Sequence, residues 1–161
     1  MEVVTVVFVQ DFKIVDRPYD EVAARFASGI DSLLEAGLGP ARTEGERLRI
    51  KVAPRGWPAA LAKTVEVHAG PVRDVENALL VAFTWEAAGQ SSLFPRLDAD
   101  IEVAPFGLGQ TMVALRGRYE PPAGSWGIHA DEVLLHRLAE STVRAFLDGV
   151  CAGVDGCAVA G

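Results

Sequence analysis

Three histidines, two cysteines, a Gly-x-Gly turn and two polar residues set among apolar ones are the places where this 161-residue chain could do chemistry. His129 and His136 are seven residues apart, about 10 Å along a helix axis, too far to share one zinc ion directly. Glu132, His136 and Glu140 stack at four-residue spacing and could hold a metal at a helix surface, but they read as a solvated polar stripe. His68 stands among outward-facing residues with no partner visible in the sequence. Cys151 and Cys157 flank Gly153-Val154-Asp155-Gly156 and read as reduced thiols on a terminal tail, with a redox pair as the alternative. Gly107-Leu108-Gly109-Gln110 begins like a dinucleotide fingerprint but lacks the third glycine and leads into a strand instead of a helix. There is no Gly-x-Ser-x-Gly elbow, and Ser141 is a hydroxyl suited to bonding its own helix backbone. No catalytic residue, metal site or cofactor is assigned on these grounds.

Asn77 and Tyr119 are more informative, because the strands around them place both on apolar faces. Val75, Asn77, Leu79, Val81, Phe83 and Trp85 share one face of a strand predicted over Val75–Glu86. Val113, Leu115, Gly117 and Tyr119 share one face of the last strand. A buried amide or phenol needs a hydrogen-bond partner, which can be a backbone group, the rim, or a bound molecule oriented by a few polar handles. Phe83 and Trp85 would wall such a pocket, or simply pack as core.

The other wall must come from the C-terminal helix, predicted from Asp131 to about Val150. Leu134, Leu135, Leu138, Ala139, Thr142, Ala145, Phe146, Gly149 and Val150 fall within roughly 160° of arc at about 100° per residue, one broad buried face. Arg137, Glu140, Arg144 and Asp148 lie opposite. Thr142, Ala145 and Gly149 are small, so either the sheet comes close there or something else fills the gap. Leu138, Thr142 and Phe146 therefore join Asn77, Phe83, Trp85, Val113 and Tyr119 as candidate ligand-binding residues.

Taken in order, the β-branched run Glu2–Gln10 predicts a first strand. It is apolar on both faces, so it should be covered on both sides or lie near the middle of the structure. Asp16 before Arg17-Pro18 reads as an N-cap. A first short helix runs to about Ser28, Gly29 interrupts, and a second runs from Ile30 to a glycine stop at Gly37. Leu48, Ile50 and Val52 alternate with Arg47, Arg49 and Lys51, which predicts a half-exposed strand over Glu46–Val52. Further strands follow at Val65–Ala69, at Val75–Glu86, around Leu97–Val103 with acidic Asp98, Asp100 and Glu102 outside, and around Met112–Tyr119 after a hairpin at Pro105–Gly109. The expected architecture is α+β: a curved antiparallel sheet of about six strands wrapped on a long C-terminal helix, with two short helices after strand one. A single domain is expected over residues 1–152, followed by a flexible tail at 153–161.

Composition narrows the function classes. Half of the residues are hydrophobic and 23% charged, so a sizeable core is expected. The net charge of −7 works against a phosphate-backbone partner, so no nucleic acid is expected. No apolar run approaches a membrane span and no basic region precedes the N-terminal valines, so the chain reads as cytoplasmic.

With these elements in place, the chain resembles the START-like helix-grip superfamily, also called SRPBCC, which includes polyketide cyclases, lipid-transfer proteins and plant pathogenesis-related proteins. The residues that carry the resemblance are Pro18 with Val22, Trp85, Phe94-Pro95-x-Leu97, Ile101-Glu102-Val103 with Pro105, Thr111, and Gly117-x-Tyr119-x-Pro121-Pro122-x-Gly124-x-x-Gly127 leading to His136-Arg137 and Phe146-Leu147. It spans about residues 2–150 and implies a cavity between a concave sheet and the terminal helix. The function it implies is binding or transport of a small hydrophobic molecule. One alternative is a cyclase- or dehydratase-like enzyme in which Tyr119 or a pocket histidine acts as acid or orients a carbonyl. Another is a structural or protein-interaction domain docking through the basic strand around Arg49 or the acidic strand around Asp100. A homodimer is compatible with all three.

Overall fold

A computed structural model describes residues 6–52, 65–87, 96–120 and 132–155. The elements are β1 (Val7–Val15), α1 (Tyr19–Val52), β2 (Val65–Ala69), β3 (Arg73–Val75), β4 (Ala78–Ala87), β5 (Arg96–Phe106), β6 (Gln110–Glu120) and α2 (Glu132–Asp155). All strand pairs are antiparallel, in the order β1-β6-β5-β4-β2, and β3 also pairs with β4. The sheet curves around α2, so that Phe146 on α2 reaches Phe83 and Trp85 on β4.

The strand pattern follows the alternation in the sequence. Leu97, Ala99, Ile101 and Val103 on β5 are buried, as are Val113, Leu115 and Tyr119 on β6 and Leu79, Val81, Phe83 and Trp85 on β4. The β5–β6 hairpin turns through Gly107 and Gly109, both at positive φ, where a side chain would be strained. That is what the Gly-Leu-Gly spacing is for.

Three expectations about elements are overturned. The run Glu46–Val52 is helical and closes α1. Arg, Leu, Lys and Glu are good helix formers, and a short alternation without turn signals does not outweigh them. Gly29 (φ −148°, ψ 38°) does interrupt α1 as two helices, but the second does not stop at Gly37: it continues through Pro40 to Val52. The long strand Val75–Glu86 is divided: β3 ends at Val75, Glu76 and Asn77 form a two-residue turn at positive φ, and β4 begins at Ala78. Six strands are present among the described residues, but not the same six.

The first strand also departs from expectation. It runs Val7–Val15, and residues 1–5 lie outside the described ones. It is an edge strand instead of a central one, with its inner face on the core and Phe8 and Phe12 left 73% and 58% exposed on its outer face. Among the described residues, the helices cover only the inner side of the sheet, and none packs on the second apolar face of β1.

The start of α1 is set by Pro18, whose carbonyl accepts from the N–H groups of Glu21 and Val22, so Asp16 is not the cap. The buried Thr111 hydroxyl donates to the Arg17 carbonyl at 2.8 Å and ties the head of β6 to this corner. The far end of α2 has no basic residue in its last turn. Its orphan carbonyls are met from outside: Arg25 donates to Gly153 O at 2.7 Å, and Arg17 to Asp155 O at 2.9 Å and to its carboxylate at 3.0 Å. The hydrogen bond to Asp155 is the main reason the Arg17 guanidinium sits above its ordinary pKa. Because α2 persists to Asp155, Cys151 is not on a tail. It is buried in the helix, and Cys157 lies outside the described residues.

Candidate functional site

β4 presents Phe83 and Trp85 toward α2, and α2 presents Phe146 toward β4. Phe146 stacks on Phe83 with centroids 5.2 Å apart and meets Trp85 edge-on at 5.0 Å, while Phe83 and Trp85 are 6.3 Å apart. All three are essentially inaccessible to water. They form one aromatic cluster bridging sheet and helix, each ring filling the space next to the others.

Tyr119 is held near the end of β6 between Val7 of β1 and Leu97 of β5. It is 1% exposed, and its hydroxyl has no hydrogen-bond partner. Thr142 of α2, itself fully buried, approaches closely enough to lower the phenol's pKa slightly, but the pair does not reach hydrogen-bonding geometry. Burial dominates and pushes the phenol far above its ordinary value of 10, so it stays protonated and keeps its O–H as a donor. Val113 is buried farther along the same face of β6.

The candidate residues therefore separate. Phe83, Trp85, Val113, Tyr119, Thr142 and Phe146 come together in the interior between sheet and helix. Asn77 does not: it is exposed in the β3–β4 turn with φ 64°. Asparagine tolerates this left-handed conformation better than most residues, which is the reason for its presence and a signal the sequence contained. The Leu138 side chain lies outside the described residues.

At Gly149, one of the small residues of α2, it is α1 and not the sheet that comes close. A methyl group on Gly149 would stand 2.4 Å from the Ala36 carbonyl oxygen and 2.8 Å from Gly37 Cα. One on Gly37 would meet the Phe146 carbonyl at 2.7 Å. The gap at Gly149 is filled by the second half of α1, which no pattern confined to α2 could reveal.

Two of the surface hollows are lined by described residues. One, of about 800 Å³, lies on the outer face of the sheet over two cross-strand rows. The first row is Phe8–Arg118–Asp98–Thr84–His68 and the second Gln10–Arg116–Asp100–Ala82. Opposite charges stand side by side on β5 and β6, an arrangement that holds neither a nucleophile nor a paired acid and base. The other, of about 480 Å³, lies where Arg17, Glu21 and Arg25 meet Val154 and Asp155. Among the described residues, no three His, Cys, Asp or Glu side chains come together as a metal site, and no helix is long and apolar enough to cross a membrane.

An antiparallel sheet closing on a long C-terminal helix is the helix grip. The chain has that fold. Solved structures with similar chain paths include the Zhui aromatase/cyclase from Streptomyces sp. R1128 (14% identity, 98% of this chain and 99% of that one, TM-score 0.44). Others are the hypothetical protein jhp0584 from Helicobacter pylori (10%, 92% and 88%, TM-score 0.48) and norcoclaurine synthase from Thalictrum flavum (12%, 96% and 89%, TM-score 0.44). No family model and no curated protein matches the sequence. These are likenesses of fold, and at such identities no activity passes from one chain to another.

Proposed function

We propose that this protein binds a small hydrophobic molecule bearing one hydrogen-bond acceptor, in the interior between β4, β6 and α2. The observation that carries the proposal is the Tyr119 hydroxyl, a fully buried donor without a hydrogen-bond partner, set among apolar side chains with Thr142 as its polar neighbour. Leaving such a group unsatisfied costs about 1–3 kcal/mol, so a ligand carbonyl or hydroxyl that reaches it gains that interaction at once. The aromatic cluster of Phe83, Trp85 and Phe146 supplies flat apolar walls, and the ligand enters by displacing Phe146 from Phe83. Binding without catalysis is favoured because the phenol is held protonated and no base or nucleophile stands beside it among the described residues. A cytoplasmic setting belongs to the same proposal.

Native mass spectrometry of freshly purified protein tests for a retained small molecule. Titration with an aromatic ketone and with the matching hydrocarbon, followed by two-dimensional NMR, tests the donor. The ketone should bind in a saturable 1:1 manner and about fivefold more tightly than the hydrocarbon, one neutral hydrogen bond's worth, and Tyr119→Phe should erase the difference. Absence of any retained molecule together with no saturable shift at Trp85 or Phe146 would remove the proposal.

A further inference from the structure

Among the described residues, no strand pairs with the outer edge of β1. Its inner side is tied to α2 by ion pairs from Asp11 to Arg144 (3.4 Å) and from Lys13 to Asp148. Its outer side shows Phe8 and Phe12, four residues apart and so on one face, with Gln10 midway between them. In an antiparallel ladder, alternate residues direct their backbone groups to the two sides of the strand. The Phe12 N–H is bonded to the Asp11 carboxylate at 2.8 Å instead of to β6. This places the N–H and C=O groups of Phe8, Gln10 and Phe12 on the open edge.

We propose that a second copy of this chain adds its own β1 to this edge, antiparallel, in the register that sets Gln10 opposite Gln10 and Phe8 opposite Phe12. Three independent features agree on that register. It pairs even-numbered residues with even-numbered ones, as the exchange of edge donors and acceptors requires, the Phe12 N–H leaving the Asp11 carboxylate for the second copy. It places each exposed Phe8 beside a Phe12 of the other copy on the outer face, giving two cross-strand aromatic pairs from the four rings that two separate copies leave exposed. The third feature is charge. The two ion pairs show that α2 runs parallel to β1, and Gln10, about 3.3 Å before Asp11, lies level with a point two residues before Arg144, at Thr142. A two-fold axis there brings each α2 antiparallel to its copy, with Glu140 facing Arg144 of the second copy and His136 facing Asp148. All four are exposed on α2, and each meets the opposite or a hydrogen-bonding partner. A long edge strand that is apolar on its outer face and has neither proline nor a bulge is otherwise a hazard; a defined partner resolves it.

The test is an engineered disulfide. In the proposed register the two Gln10 Cα atoms form a hydrogen-bonded pair about 5.5 Å apart, within disulfide range. Gln10→Cys should therefore cross-link to itself under mild oxidation, above the background that wild type sets through its own cysteines. Phe12→Cys alone should not, because its two copies stand about 13 Å apart. Phe12→Cys mixed with Phe8→Cys should. Light scattering across a dilution series should show a dimer for wild type and a monomer for Phe8→Glu with an unchanged far-ultraviolet spectrum. A wild-type monomer at every concentration overturns the proposal. So does a dimer in which Gln10→Cys fails to cross-link or Phe12→Cys cross-links to itself. None of these readouts depends on the interior ligand.

Discussion

Gly37 and Gly149 face each other where α1 crosses α2, so closely that neither position can carry a methyl group without moving backbone. The contact fixes how deep α2 sits in the grip, and hence where Thr142 and Phe146 point. Two effects compete in Gly149→Ala. Alanine favours the helix by about 1 kcal/mol over glycine, whereas forcing a methyl against a backbone carbonyl costs about 1–3 kcal/mol. The carbonyl of Ala36 belongs to a helix and cannot swing away like a side-chain tip, so the steric cost wins. The expected outcome is a net loss of about 1–2 kcal/mol in urea unfolding and a lower Tm by a few degrees. Gly29→Ala, with open space around it, should not show this steric loss.

The β3–β4 turn gives a prediction of the opposite sign. Glu76 and Asn77 both have positive φ, and glutamate is poorly suited to it. Asn77→Gly should be neutral or stabilising by up to about 0.5 kcal/mol, while Asn77→Val should cost about 1–2 kcal/mol through left-handed strain. Neither change should alter binding of an aromatic ketone in an NMR titration, because Asn77 is remote in role from the interior. A loss of binding with Asn77→Gly would return it to the site.

What the sequence made legible, and what it did not, follows from the range of each signal. The strands β4, β5 and β6 and the burial of Phe83, Trp85, Val113 and Tyr119 could be read from period-two alternation, and that of Phe146 from the helical period of α2, because each side chain's face is decided by its own element. Asn77 was placed wrongly because alternation was carried through a turn whose only mark was Asn77 itself. The stretch Glu46–Val52 satisfied a strand pattern and helix propensity at once, and its neighbours in α1 decided the outcome. Gly149 was read correctly as small but its neighbour was not readable, since that neighbour, Gly37, is 112 positions away and came with a plausible local meaning as a helix stop. The apolar outer face of β1 was visible from the start; what no sequence pattern could supply was that the strand would lie at an edge.

Cys151 links burial to behaviour in alkali. Removal from water pushes its thiol up to about 11 from an ordinary 9.0, outweighing the opposing pull of Lys13. The folded state thus holds the proton more tightly than the unfolded chain. The thiol's contribution to stability is complete below pH 9 and is lost as pH rises from there through 11, amounting to about 1.4 kcal/mol by pH 10. Tyr119, raised in the same sense by burial, adds to the loss above pH 10. Urea midpoints measured from pH 8 to 10 should fall, and Cys151→Ala should flatten that fall while lowering stability at pH 8 by a small cavity term. In a Cys157→Ser background at pH 8, a disulfide reagent should modify Cys151 only as fast as the helix opens. Rapid modification of the folded protein would show the thiol to be accessible.

Tyr119→Phe separates the site from the core it is built into. If the hydroxyl were an ordinary core group with a partner, its removal would cost roughly 1 kcal/mol. Here the hydroxyl is buried without one, so deletion relieves an unsatisfied donor and keeps the ring that Val7 and Leu97 pack on. The ligand-free variant should be as stable as wild type or more stable, by up to about 1–3 kcal/mol, in chemical unfolding. Added aromatic ketone should then reverse the order, because it stabilises wild type in proportion to its tighter binding and the variant less. The crossing of the two stability curves with ligand concentration is the signature of a donor kept for a ligand. A variant less stable than wild type at every ligand concentration would mean that Tyr119 already has its partner inside the protein.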